Sequence, residues 1–275
     1  GACLQFHRIP LLWREADPNE GRWFRICFRG GLGGHSGVDI NKGRASATQL
    51  VCKLLTKLTE GRDDMEMAYI QAGEANASIA ATAEVIIRVK DMEALSFLER
   101  EVENINHWIK SHYAQSDPAM RCTVETCEAK PSLADKNSVQ ALLYCLGHIP
   151  QGVVRMSHVM ENTVETSNNI GRITTENDHF FVSTHTRSFI DNDMDELSRR
   201  IADCFAKRGA ESEVVMSAPA WQENQQSDFL RLTSDTFNDV LGWRPRMVAM
   251  HFVLEAGFFV QKFPGIEMAS IGPRI

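Results

Sequence analysis

His35 stands inside the run Gly30-Gly31-Leu32-Gly33-Gly34-His35-Ser36-Gly37-Val38-Asp39-Ile40, which continues as Asn41-Lys42-Gly43-Arg44-Ala45. Five glycines crowd one imidazole. Glycines remove side chains and permit positive φ, so a ligand or a second protein surface can approach the backbone closely. An imidazole presented in this way suits chemistry near neutral pH, where its charge is easily moved. The plainer alternative is a tight turn whose histidine caps a local group. Two elements must hold the turn. A strand is expected over residues 22–29, with Trp23, Phe24, Ile26 and Phe28 supplying β-branched and aromatic content. A helix is expected over 42–60, with Leu50, Val51, Leu54, Leu55 and Leu58 on one face.

The other candidate ligands are poorly spaced for metal. His107 and His112 fall at i and i+5 on an expected helix and so point to different faces. His179 and His185 share a face of one strand but lie roughly 20 Å apart, too far to hold one ion. Seven cysteines are an odd number, scattered without C-x-x-C spacing, which reads as reduced core thiols. Cys122 and Cys127, with no second Cys/His pair, make a poor zinc signature.

Around these residues a strand and helix pattern repeats. The first copy reads strand 22–29, helix 42–60, strands 66–72 and 83–89, helix 92–113 and strand 120–127; Asp91 sits where an N-cap belongs. The second reads helix 136–146, strands 169–174 and 180–186, helix 193–207 and strand 213–216. This predicts an α/β fold, a doubled ferredoxin-like (βαββαβ) unit. A local echo between Glu74-Ala75-Asn76-Ala77-Ser78-Ile79 and Thr166-Ser167-Asn168-Asn169-Ile170 points the same way. After Met216 a polar, turn-rich stretch marks a boundary, followed by an expected helix over 228–241 and a strand over 247–251.

At 275 residues and 43% hydrophobic the chain can bury a substantial core. Its net charge of −7, with bases interleaved among acids, argues against a nucleic-acid surface. No apolar run is long enough for a bilayer span and no signal-peptide pattern opens the chain, so no membrane partner and a cytoplasmic location are expected. The chain starts Gly-Ala-Cys, not Met, and is expected to be a segment of something longer.

The glycine-rich run, with Val164-Glu165-Thr166-Ser167-Asn168-Asn169-Ile170-Gly171 and Arg187-Ser188, resembles the aminoacyl-histidine dipeptidases, the Xaa-His or carnosine-cleaving branch of the dinuclear zinc peptidases. His251-Phe252-Val253-Leu254-Glu255-Ala256-Gly257-Phe258-Phe259 and Met268-Ala269-Ser270-Ile271-Gly272-Pro273 resemble that family's H-A-G-L-E-C-G-L-F and S-I-G-P segments. Val253 stands for the family glycine and Ala256 for its cysteine, which crowds and alters that segment.

The resemblance implies that residues 1–21 end one catalytic-domain segment, 22–216 form a lid, and 217–275 are an incomplete returning part of the catalytic domain. It implies two zinc ions in the full-length enzyme, held by residues outside this chain. The segment alone is accordingly expected to be inactive and to bind no zinc tightly. By the same resemblance His35 stabilises the oxyanion at the scissile carbonyl, Asn76 donates hydrogen bonds to substrate, and Arg187 holds the substrate carboxylate. His251 and Glu255 then join the substrate-binding set, the partner is a small peptide, and a homodimer is implied. Ordinary alternatives are an ion pair from Arg187 to Asp191 or Asp193, an Asx turn at Asn76 and a capping or surface role for Glu255. As a whole, the alternative function is a non-catalytic binding or dimerisation module, or another peptidase or deacylase of the same superfamily.

Overall fold

Alternating apolar side chains build most of the strands, and amphipathic helices cover one side of them. The computed structural model describes residues 1–275 except 18, 222–223, 225, 250–252 and 273–275. In chain order come β1 (Ala2–Pro10), β2 (Trp13–Glu15), β3 (Arg22–Arg29), β4 (Gly34–His35), α1 (Ala47–Thr59), β5 (Met65–Ala72), β6 (Ser78–Ile79) and β7 (Ala83–Val89). Then follow α2 (Met92–Tyr113), β8 (Arg121–Thr126), β9 (Ser132–Ala134), α3 (Lys136–His148), β10 (Gly152–Met156) and β11 (Val164–Thr175). The chain continues with β12 (His179–Ser188), α4 (Asp191–Ala206), β13 (Glu211–Ala218), α5 (Asp228–Leu241) and α6 (Ala256–Lys262).

The main sheet runs β13-β1-β12-β11-β5-β7-β3-β8, all antiparallel, with β10 on the free part of β11. This is a mixed α/β fold around a large antiparallel sheet. Numbered within its own half, each set of four strands has the order 4-1-3-2, and the two second strands, β11 and β5, meet through Ile173↔Ala72 and Thr174↔Gln71. The first strand of the second half is β1. Residues 2–10, which the sequence reading assigns to the end of a preceding domain, are therefore a central strand, bonded to β12 on one side and β13 on the other. One whole half of the sheet is threaded between β1 and α3, which is why the repeat in sequence lacks its first strand.

Helices α1 to α4 lie on one face. Leu50, Val51, Leu54, Leu55 and Leu58 of α1 share a core with Phe28 and Val85 of the first half and with Ile9, Phe180 and Val182 of the second. Asp91 caps α2 as expected, its carboxylate accepting from Ala94 N at 2.8 Å. The first helix begins at Ala47 and not at 42, because Lys42 and Arg44 turn back to pair with Asp39 and Gly43 has φ +66°. The opposite face of the first half packs Trp23, Ala68 and Ile86 against Leu133 under the β2–β9 ladder. There Arg88, only 2% exposed, is held by Glu66 and Glu20.

The echo between Glu74–79 and 166–170 does not mark equivalent places. The first segment follows β5, whereas the second lies inside β11. Residues 247–249 form no strand, and the rest of that expected strand lies outside the described residues. Beyond β13 the chain adds little to the core: Ser234 is the buried side chain of α5, and Phe229, Leu232, Val240, Phe258 and Phe259 are exposed.

His7 shows how the second half satisfies a buried polar group. Its Nδ1 lies 2.7 Å from Ser212 Oγ, its Nε2 2.9 Å from Thr184 Oγ1, and the ring stacks on Phe205 of α4. Burial lowers its pKa from 6.5 to about 3. The unfolded chain therefore takes up a proton below pH 6.5 that the folded ring refuses. Stability from this site is complete above pH 6.5 and falls by about 1.4 kcal/mol per pH unit as the pH drops toward 3. Urea unfolding of His7→Gln should show a slope of stability against pH shallower by that amount between pH 6.5 and 5; an unchanged slope would mean that His7 is charged in the fold.

Candidate functional site

The glycine-rich turn is pinned at several points. Asp39 is its organiser: its Oδ2 accepts from His35 N at 2.8 Å, and its carboxylate pairs with Lys42 at 2.7 Å and Arg44 at 3.3 Å. These contacts hold its carboxyl below the ordinary range, the Lys42 hydrogen bond contributing most. Gly34 has φ +132°, and a Cβ there would overlap the Arg44 guanidinium. Asp117, 1% exposed, closes the base of the turn by accepting from Leu32 N at 2.6 Å and Ala45 N at 2.8 Å.

His35 itself is exposed and its ring is oriented. Nδ1 accepts from Gly37 N at 3.1 Å and Val38 N at 3.2 Å, so the proton of the neutral ring sits on Nε2. Partial burial and then the charge of Arg187 lower its pKa from 6.5, against an opposing pull from Asp39. The ring is thus a neutral N–H donor at pH 7.

Through β4 and β6 this turn reaches the other half of the sheet. His35 pairs with Ser78, Ser36 N donates to Ala77 O at 2.8 Å, and Asn169 Nδ2 donates to Ser78 O at 2.8 Å. Asn169 is in register with His185 on β12, and Arg187 lies two residues further along the same face. Arg187 is 3% exposed, its Nε has no hydrogen-bond partner, and among the described residues it forms no ion pair. Burial alone lowers its pKa to about 10, which leaves it charged at neutral pH. The acids considered as its partners are engaged elsewhere: Asp193 pairs with Arg155, and Asp191 Oδ1 accepts from Ala220 N at 2.6 Å.

Comparison with known proteins places the chain among peptidases. Residues 28–117 match the family described as the peptidase dimerisation domain. Over 262 residues, 95% of this chain, the sequence is 26% identical to the cytosol non-specific dipeptidase of Escherichia coli (strain K12). The crystal structure of aminoacylhistidine dipeptidase from Vibrio alginolyticus superposes on 99% of the chain with a TM-score of 0.90 at 25% identity. Over nearly its whole length the chain is similar to these dipeptidases. It spans about half the length of these relatives, 54% and 55% respectively.

Of the residues that the family resemblance singles out, His35 and Arg187 lie within range of each other's charge, and Asn76 packs at the same junction against Gly171. Asn76 lies where β11 has no side chain: a Cβ on Gly171 would overlap the Asn76 carbonyl oxygen. Its Oδ1 is buried without a hydrogen-bond partner among the described residues. Glu255 is exposed at the start of α6, and its carboxylate bonds to no other described residue. His251 lies outside the described residues.

Two residues escape sequence reasoning. Asp117 belongs to a turn after α2, with no local signal linking it to a loop more than seventy positions earlier. His185 is discounted there as a metal ligand, yet it sits beside Arg187 with neither ring nitrogen paired. Among the described residues no three His, Cys, Asp or Glu side chains converge on a possible metal position.

Asp117→Ala should leave the N–H groups of Leu32 and Ala45 without their acceptor, the second of them buried. A loss of about 3 kcal/mol in unfolding free energy is expected, with faster amide exchange confined to residues 30–46. Exchange that stays slow at Leu32 and Ala45 would show that the turn is held by other contacts.

Proposed function

We propose that this chain closes over the substrate of a dipeptidase acting on small peptides, in which Arg187 binds the free C-terminal carboxylate. The observation that carries this reading is a guanidinium 3% exposed without a counter-ion among the described residues. An unpaired buried cation costs several kcal/mol, and a ligand carboxylate is the group that relieves it through a charge-assisted hydrogen bond.

In this reading His35 Nε2–H points at the scissile carbonyl oxygen and stabilises the negative charge that develops there. A neutral donor with its other nitrogen already fixed needs no reorganisation as the charge forms. Asn76 donates hydrogen bonds to the substrate, and His251 and Glu255 complete the substrate contacts. Xaa-His dipeptides are the preferred class, by similarity to the Vibrio alginolyticus enzyme. The zinc ions that the family resemblance implies find no donor set among the described residues, so no step is assigned to them here. We likewise assign residues 217–275 to the returning part of a catalytic domain, a homodimer to the assembly and the cytosol as its location. The 275-residue chain by itself turns over no peptide.

A second reading is a binding module that keeps the carboxylate pocket without catalysis; Val253 and Ala256, departing from the family glycine and cysteine, favour it. Kinetics of the full-length protein separate the two. Arg187→Met should cost about 2–4 kcal/mol in kcat/KM for free dipeptides and little for dipeptide amides, which lack the carboxylate. His35→Ala should lower kcat about 10²–10³-fold on both. Equal losses on acid and amide for Arg187→Met would sink the carboxylate assignment, and no turnover of any peptide by the unaltered protein would leave the binding module.

A further inference from the structure

His185 is 5% exposed, and neither Nδ1 nor Nε2 has a hydrogen-bond partner among the described residues. A neutral imidazole carries one donor and one acceptor, and each costs about 1–3 kcal/mol when buried unpaired. The neighbours in register do not supply them. On β1 the opposing residue is Leu4. On β11 it is Asn169, whose amide is already committed to Ser78 O and to Gln151 Nε2. The charged or titratable groups that act on the ring are Arg187 on its own strand and His35 from the β4 turn, with no carboxylate from β1 or β11. The ring therefore faces the same unneutralised guanidinium that the proposed function assigns to a substrate carboxylate.

We propose that His185 is a second binding residue for that carboxylate, Arg187 holding one oxygen and the His185 ring the other, with one proton taken from solvent onto the ring as the anion enters. The inference rests on the reading that Arg187 binds a carboxylate. In the free protein, burial and then Arg187 hold the ring neutral, with a pKa of about 3. An anion between the two groups cancels the repulsion from Arg187 and adds an attraction of its own, so the pKa rises on binding. Proton uptake and carboxylate affinity are then linked, and affinity falls as pH rises through the pKa of the bound ring. The role is one of specificity: two basic groups on one rigid strand select a ligand that ends in a carboxylate over one that ends in an amide.

Isothermal titration of the full-length protein with N-acetylalanine and with N-acetylalaninamide, near neutral pH in phosphate and in ACES buffer, tests this. The two buffers differ in ionisation enthalpy, so a buffer-dependent heat counts protons taken up. For the unaltered protein we expect binding of the acid, weak or no binding of the amide, and net proton uptake. His185→Gln keeps an N–H donor but cannot be protonated; it should bind the acid about ten-fold more weakly and without buffer dependence. Buffer-independent heat in the unaltered protein, or uptake that persists in His185→Gln, would overturn the role of His185 while leaving Arg187 in place. Arg187→Met binding the acid as well as the unaltered protein would overturn the underlying reading and this inference with it.

Discussion

At Gly171 the backbone of β11 meets the chain that follows β5 with no room for a methyl group: a Cβ would overlap the carbonyl oxygen of Asn76, and one on Gly73 would overlap that of Gly171. The register of β11 against β12 shifts at the same point. This contact lets the segment around β6 lie flat on the second half of the sheet. Through the Asn169 to Ser78 hydrogen bond and the β4–β6 ladder it brings His35 within range of the charge of Arg187 and close to His185. A side chain at Gly171 would lift one half's loop off the other half's strand. The site is therefore a property of the junction between the halves, and neither half contains it alone.

Among the described residues two arginines are buried, and they are treated in opposite ways. Arg88, on the face covered by β2 and β9, is 2% exposed and is met by Glu66 and Glu20. Arg187 is 3% exposed and is met by no carboxylate among the described residues, while Asp191 and Asp193, only a few positions away, are bonded elsewhere. The first arrangement is what a fold does when a cation is structural, since desolvation is offset inside the protein. The second leaves the offset to be supplied from outside. His7 and His185 make the same contrast among histidines. Both are buried with pKa values of about 3, but His7 is bonded at each nitrogen and His185 at neither.

Local pattern carried much of this into view from the sequence. The apolar spacing of α1 and α2, the Asp91 cap and the strands of both halves are governed by near neighbours, so their positions could be read directly. The glycine run around His35 was legible for the same reason, because positive φ has to be provided by the residues themselves. What stayed hidden depends on distance along the chain. Nothing in residues 2–10 says that they pair with a strand nearly 180 positions later. Asp117 looks like any turn aspartate until the loop it pins is folded beside it. His185 reads as an unremarkable strand residue, because its significance is the lack of a partner, which only packing reveals.

The division of labour between rigid strand and pinned loop fits the chemistry assigned to each. Arg187 and His185 stand on one strand bonded on both edges, so their spacing is set by the backbone and does not need to be found on binding. His35 sits in a loop, where its ring could in principle swing. Two backbone N–H groups on Nδ1, Asp39 on its own N–H and Asp117 at the base of the turn remove that freedom before any ligand arrives. An electrostatic donor lowers a barrier in proportion to how little it must move when charge develops. Loading a loop with four separate restraints is thus the means by which a flexible, glycine-rich segment can serve as a fixed hydrogen-bond donor.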